Sequence, residues 1–319
     1  LKFAQVKLMF MYFFKRLIRL LGLWLALITL TFGLQLVIPG DPVEALFAQQ
    51  PADPQVIAGM RHEFGLDQPL VVQFFSYIAK VVQGDLGKSL ITRRPVLSEI
   101  SDRYFNTVLL AATGLTIALI FGISSGVLAV WIRNWLFNTG LTALNVVLLS
   151  MPSFWLGLLL MNFFSVQLGW LPVLSENTLV QLILPALTLG LVSGALLSRV
   201  VKAQLLEVLS QDYIKTAQAK GLTHQVVLIR HALKNALTPV LTLAGLQFGA
   251  LMGGAIIVEN VFAWPGLGQL AVQAINQRDY PIIQGLVLLT ATTYGLVNTG
   301  VDLLYHWLDP RIQTPVKSD

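Results

Sequence analysis

The chain contains no cysteine and few charges. The first absence excludes a disulfide framework, an iron–sulfur cluster and a Cys-ligated zinc site. The second is larger in consequence: Asp, Glu, Lys and Arg make up 12% of the 319 residues, against 55% hydrophobic, where soluble domains carry about 25% charge. That balance excludes a soluble globular protein. A net charge of +5, diluted over the whole length, excludes a nucleic-acid footprint. The four histidines, His62, His224, His231 and His306, lack the i, i+4 or other close spacing of a local metal site. Gly87-Lys88-Ser89 ends like a phosphate-binding loop, but Val82 occupies the position of the required first glycine. No Ser/His pair, acid pair or metal-spaced set falls within the apolar runs, which argues against an intramembrane enzyme, a second rival to a transporter.

What the chain has instead is long uncharged runs. A bilayer core of roughly 30 Å needs about 20 apolar residues as a helix, and six stretches supply them. The expected spans are 20–38, 106–132, 141–164, 177–198, 235–258 and 280–307. The third lies in an uncharged run covering 139–175, too long for one span and barely long enough for two. Basic residues decide the count, because cytoplasmic loops retain Lys and Arg. With one span there, bent near Pro152, fourteen basic residues fall inside, while Arg278 and six in the long loop after the first span fall outside. Splitting the run would reverse that to seven inside and fourteen outside. The fold class is therefore an all-α polytopic membrane protein of six transmembrane helices with both termini cytoplasmic. The basic segment 1–19 precedes an apolar run too long for a signal-peptide core, so that run is expected to remain as an anchor.

Two polar regions carry the candidate sites. Residues 39–105 form an external cap with eight acids and six basic residues, punctuated by turns at Gly65 to Pro69 and Gly84 to Gly87. Residues 199–234 form a cytoplasmic loop in which Asp212 is placed to cap a helix from Tyr213 to Lys220, and Gly221 to end it in a left-handed conformation. That helix would expose Ala217 and Ala219, small residues that let another protein approach the backbone. The alternative is an ordinary amphipathic helix at the lipid interface.

Three further features have two readings each. Gly245, Gly249 and Gly253 recur every fourth residue along the fifth span, a strip suited to close helix packing or to a moving wall beside a pore. Asn298 and Asp302 are polar within the last span; Asp302 serves as an interfacial hydrogen-bond group or a proton relay. The external loop 259–279 holds Glu259, Phe262, Trp264, Pro265, Gly266, Arg278 and Asp279. It reads either as an aromatic interface anchor or as a pore plug and docking surface.

The segment from Asp212 to Gly221, followed by Arg230-His231-Ala232-Leu233-Lys234-Asn235-Ala236, resembles the cytoplasmic loop of ABC importer permeases. The generic Glu-Ala-Ala start is replaced by Lys215-Thr216-Ala217, so only the last Ala and Gly221 match. Other strings resemble the dipeptide, oligopeptide and nickel permease family over most of the chain: Ile38-Pro39-Gly40-Asp41-Pro42, Gly65-Leu66-Asp67-Gln68-Pro69-Leu70, Gly84-Asp85-Leu86-Gly87, Ser150-Met151-Pro152-Ser153-Phe154-Trp155, Glu259 to Gly268, Arg278-Asp279-Tyr280-Pro281 and Asp309-Pro310-Arg311.

The resemblance implies the type I ABC importer permease fold in a bacterial inner membrane. It also implies a second, homologous permease subunit, two ATPase subunits that bind ATP and Mg, and an external solute-binding protein. The chain itself would bind no cofactor. Asp212, Tyr213, Thr216, Ala217, Ala219, Lys220 and Gly221 would then form the coupling helix that docks on an ATPase. The cargo implied is a nickel chelate or a short peptide. The rival is a self-sufficient secondary transporter or channel, which uses intramembrane charge and inverted repeats and would not need ATPase partners.

Overall fold

The structure, a computed structural model, describes residues 21–33, 53–63, 65–132, 134–172 and 178–308, with the backbone alone at 63, 178, 254 and 301–308. The expected segments 1–19 and 309–319, the end of the first span and the start of the cap to residue 52 lie outside the described residues. Among the described residues every regular element is helical, apart from one isolated bridge between Lys88 and Pro95.

In chain order the helices are α1 (Leu21–Gly33), α2 (Pro54–Glu63), α3 (Leu70–Val82), α4 (Val96–Trp131), α5 (Trp135–Ser150) and α6 (Ser153–Met161). The last runs on as a π-helical turn, Asn162–Gln167. Then follow α7 (Thr178–Leu209), α8 (Asp212–Ala219) and the short α9 (His224–Val226), which leads through a π-helical turn, Val227–Ala232, into α10 (Leu233–Gly254). The chain closes with α11 (Ile256–Val261), α12 (Leu267–Gln277) and α13 (Tyr280–Leu308). Four helical stretches among the described residues are long and apolar enough to cross a membrane, and a fifth if α5 with α6 and its π turn count as one broken span.

Four of the six expected spans coincide with these helices and the third with the broken pair, though their ends differ; of the first, only the helix Leu21–Gly33 is described. α4 begins ten residues before the expected 106, because Glu99, Asp102 and Arg103 interrupt the charge-free run without interrupting the helix. α7 likewise continues past Arg199 to Leu209. The third span departs most from expectation. Its helix starts at Trp135, where the Asn134 side chain accepts from the amides of Leu136 and Phe137, and the bend near Pro152 is a 109° break. Proline drives its predecessor out of the helical region: Met151 has φ −78° and ψ 131°, and Pro152 follows with φ −58° and ψ 135°. Two extended residues in succession reset the axis, and Pro152 then starts α6 by accepting from the amides of Trp155 and Leu156.

The chain forms two compact units: the described residues up to Phe105 with Gln269–Gly295, and Asn106–Gly268 with the described residues from Leu296. In the first, α1 meets α13 through a Trp24 Nε1 to Thr292 Oγ1 hydrogen bond of 2.8 Å, and Phe32 packs edge-on against Phe74 of α3. The Gly84 to Gly87 turn has left-handed backbone at both glycines, and Asp85 accepts from the Gly87 amide. Ser89, the residue that imitates a phosphate-binding loop, donates its hydroxyl to the buried Asp279 carboxylate, which also accepts from the Leu90 amide.

In the second unit α4 and α7 pack backbone to backbone. A Cβ built on Gly122 would lie 2.6 Å from Leu197 Cβ, and one on Gly190 2.6 Å from Ile117 Cβ. Gly114, Ala118, Gly122 and Gly126 form this strip at every fourth residue, facing Gly190, Gly194, Leu197 and Val201. A close-packing strip is thus present on α4. On α10, Gly249 is buried, but Gly253 is exposed and has nothing within 4 Å of a built Cβ.

Candidate functional site

The polar segment after α7 is built on one short helix held from one side. α7 ends where Ser210 turns back to bond the Glu207 carbonyl through both its amide and its hydroxyl. Gln211 is extended (φ −76°, ψ 152°) and accepts from the amides of Ile214 and Lys215, so it starts α8. Asp212 therefore lies inside the first turn and is not the cap; its carboxylate pairs instead with Lys215 Nζ at 2.8 Å, where both groups are exposed. Gly221 closes the segment with φ 82°, and its amide bonds the Gln218 carbonyl. Thr223 then leads the next helix, with the Val227 amide on its carbonyl.

Ile214 and Ala217, one turn apart, are the buried side of α8. They join a core that includes Leu205 and Val208 of α7, Val227, Leu228 and Ala232 of the π turn, Ala236 of α10 and Ala118 of α4. Ala217 is therefore not the exposed small residue that its sequence position implied; Ala219 is exposed. Burying Ile214 contributes about 2–3 kcal/mol, whereas an exposed i, i+3 ion pair contributes little. The apolar side thus fixes the helix. A 100° advance per residue puts Asp212, Lys215, Thr216 and Ala219 on the opposite face, and all four are exposed. Tyr213 stands at the flank, its hydroxyl accepting from Asn235 Nδ2 at 2.8 Å. Lys220 is exposed beside Gly221. This geometry makes a firmly seated lever with a polar, small-residue outer face.

In the loop 259–279 the aromatic side chains Phe262 and Trp264 are packed inside rather than displayed. Phe262 and Trp264 are buried, and Glu259 and Trp264 wholly so. Glu259 Oε1 accepts from Thr107 Oγ1 at 2.7 Å and Oε2 from the Gly268 amide at 2.6 Å, while Thr107 Oγ1 accepts from the Leu267 amide. Trp264 Nε1 donates to the Asn106 carbonyl, and Asn106 Nδ2 to the Pro265 carbonyl. Ala263 has φ 49° to make the turn. Gly266 is needed because a Cβ there would fall 2.3 Å from the Glu259 carboxylate. Phe262 lies against Gly157 of α6 in the same way, its Cε2 2.9 Å from a built Cβ. The motif reads as a structural knot whose exposed surface includes Pro265.

The remaining candidates separate. Arg278 is exposed with φ 56°, and Asp279 is buried in the Ser89 contact already described. Asn298 is half-buried, and its Oδ1 has no hydrogen-bond partner among the described residues. The Asp302 side chain lies outside the described residues. Sequence reasoning missed Thr107 and Asn106, which hold the loop, and the glycines of α4. The four-residue spacing of Gly114, Ala118, Gly122 and Gly126 was available as a signal. Asn145, a polar residue of the third expected span, is buried and donates to Ser198 Oγ at 3.0 Å. Among the described residues no three His, Asp or Glu side chains gather as a metal site.

Comparison with known proteins matches residues 94–314 to the family model described as binding-protein-dependent transport system inner membrane component, and residues 9–111 to the corresponding N-terminal model. The chain is 46% identical over 303 residues to the glutathione transport system permease protein GsiC of Salmonella choleraesuis, covering 95% of this chain and 98% of that one. It is 45% identical over the same extent to the protein of that name from Escherichia coli K12. Among solved structures, an inward-facing MetNI methionine ABC transporter matches with TM-score 0.57 at 18% identity, over 66% of this chain and 95% of that chain. An amino acid ABC transporter with histidines matches with TM-score 0.54 at 15% identity, over 66% and 94%.

Proposed function

The chain belongs to the family of inner-membrane components of binding-protein-dependent transport systems, and we propose that its cargo is a short peptide of the glutathione kind. It is the permease subunit of an ABC importer, a transport component without an ATPase site of its own, and it works with ATPase and solute-binding partners. The identity to glutathione permeases along nearly the whole chain carries the cargo reading. It favours the peptide arm of the earlier alternatives over the nickel chelate.

In the proposed assembly a second, homologous permease subunit completes the pore, and two ATPase subunits bind ATP and Mg. The outer face of α8, with Asp212, Lys215, Thr216 and Ala219, docks on one ATPase. Closure of the ATPases pushes α8, and because Ile214 and Ala217 are packed into the core shared with α7, α10 and α4, the push passes to three spanning helices at once. Alternating access follows from that shared core, with Gly221 as the stop that holds the end of the lever.

Uptake of labelled glutathione, a labelled dipeptide and labelled nickel in cells with and without this chain tests the reading. Loss of energy-dependent glutathione or dipeptide uptake on deletion, with nickel uptake unchanged, is the expected result. Loss of nickel uptake alone would overturn the cargo. Peptide uptake that persists without ATPase partners would overturn the mechanism in favour of a secondary transporter.

A further inference from the structure

An open groove of about 520 Å³ lies in the second unit, between the later half of α4 and the start of α10. Leu119, Ile123, Val127 and Trp131 follow one another along it at every fourth residue of α4, and Ile229 and Leu233 line it from the π turn and α10. Its one hydroxyl, on Ser124, donates back to the α4 backbone. Over most of its length the groove therefore offers only hydrocarbon. Leu119, Ile123, Val127 and Leu233 are half-buried against the core that also holds Ile214 and Ala217 of α8, while Ile229 and Trp131 stand exposed. This is a channel with a packed floor, not a flat face. From Leu119 to Trp131 the helix rises about 18 Å, at 1.5 Å per residue, close to the roughly 15 Å that one leaflet contributes to a bilayer core. One extended acyl chain fits that length.

Hydrocarbon shape does not choose among lipids; the end of the groove does. With the broken pair and α7 each crossing once, the end of α4 and the start of α10 lie at the same membrane face. Trp131 is there, a residue type that settles at headgroup level. Arg230 and Lys234, each next in sequence to a lining residue, are exposed and take part in no ion pair among the described residues. No Asp or Glu occurs from residue 103 to 175 or from 213 to 258, so neither wall supplies a counter-ion. The acids of the adjoining segment are engaged, Glu207 with Gln204 and Asp212 with Lys215. Two solvated cations alone make no site. Beside the interfacial end of an acyl-chain groove, they select a negative headgroup.

We infer that this groove binds one anionic phospholipid of the leaflet on the α8 side, with an acyl chain along Leu119 to Trp131 and the phosphate beside Arg230 and Lys234. The chain then lies against the same core that seats α8, so the lipid supports the lever from behind. The inference rests on the proposed mechanism for that consequence and for the leaflet, but on the groove and its charges for its chemistry.

The test counts the lipid retained by the purified full chain in native mass spectrometry, using phosphatidylglycerol and phosphatidylcholine with identical acyl chains. Phosphatidylglycerol should be retained about ten-fold over phosphatidylcholine. Arg230→Gln with Lys234→Gln should erase that preference and leave phosphatidylcholine retention as it was, since both residues are exposed and the groove stays intact. Ser124→Trp, which fills the groove from an exposed position, should lower retention of both lipids. The charge variant removes no packed group, so it decides the question even where the tryptophan disturbs α4. Equal retention of the two lipids by the parent, or a preference indifferent to Arg230 and Lys234, would overturn the site. Loss of the retained lipid on assembly with the second permease subunit and the ATPases would overturn it too, by giving the groove to a partner helix. Retention is read without transport, so its failure leaves the peptide reading standing. Glutathione uptake that does not need this chain would remove that reading and leave the lipid site.

Discussion

At the scale of single residues, the sharpest demands are made by glycines and by one buried acid. Gly221 holds φ 82° at the end of the coupling helix, a region that costs an L-residue about 1–2 kcal/mol and a β-branched one more. Gly221→Val is expected to insert normally yet lose coupled uptake, measured as transport per molecule in the membrane; unchanged uptake would remove the lever from the mechanism. Gly266 is demanding for a different reason. Its neighbour is the Glu259 carboxylate, which Thr107 and the Gly268 amide pin in place, so the clash cannot be relieved by a side-chain swing. Gly266→Ala should destabilise the chain by about 1–3 kcal/mol, seen as a lowered thermal unfolding midpoint in detergent. Ala217 shows how burial changes the meaning of a substitution. Since Ala217 belongs to the core with Ile214, Ala217→Arg would bury a charge and unseat α8 itself rather than only block docking. A bulky group at exposed Ala219 is the cleaner disruption of docking: Ala219→Trp should reduce ATPase co-purification and leave the unfolding midpoint unchanged.

At the scale of elements, the fold was legible where it depends on a run of residues and illegible where it depends on a partner. The absence of charge marked the spanning helices, and Pro152 marked the break in the third. The 109° angle was not readable, because it follows from ψ at Met151 and Pro152 together, and those are fixed by what α6 packs against. Helix α3 is an apolar stretch of 13 residues, Leu70–Val82, too short to span a bilayer and carrying Lys80, a pattern legible as an amphipathic surface helix. Helix α8 was legible in extent to within a residue, while its buried side was not, since Ile214 and Ala217 are apolar on a helix with small residues on both faces. Glu259, Trp264 and Gly266 were legible as a motif but not as a knot, because Asn106 and Thr107, which tie it, lie 150 residues away in the sequence and belong to no local pattern.

The glycine strips make the same point and yield a test. Both α4 and α10 repeat small residues every fourth position; on α4 the structure places α7 against them, while Gly253 of α10 has open space around it. In lipid, where apolar surface alone gives helices no reason to associate, such contact is the main source of packing. Gly122→Val should therefore abolish the monodisperse peak of the purified chain. Gly253→Ala, with open space around it, should leave that peak intact and stabilise α10 by up to about 1 kcal/mol through helix propensity. The reverse order would move the packing strip back to the fifth span.

At the scale of the whole molecule, the remaining claim is orientation, and the sequence offers an unusual means to settle it. The fourteen-to-seven division of basic residues argues for α8 inside and the cap outside, but charge bias is an argument about insertion, not a measurement of it. Because the chain has no cysteine, a single introduced thiol is its only maleimide-reactive site. Gln83 and Lys215 are both exposed, one just past α3 and the other on the outer face of α8, so neither substitution disturbs packing. Gln83→Cys should react with a membrane-impermeant maleimide in intact spheroplasts, and Lys215→Cys only after the membrane is opened. Labelling of Lys215→Cys from outside would place the lever where no cytoplasmic ATPase can reach it, and with it would go the coupling mechanism. A cytoplasmic α8 together with an external cap fixes an odd number of crossings between them. With α4 as one crossing and α7 as another, the broken pair α5 and α6 must then carry the chain across once.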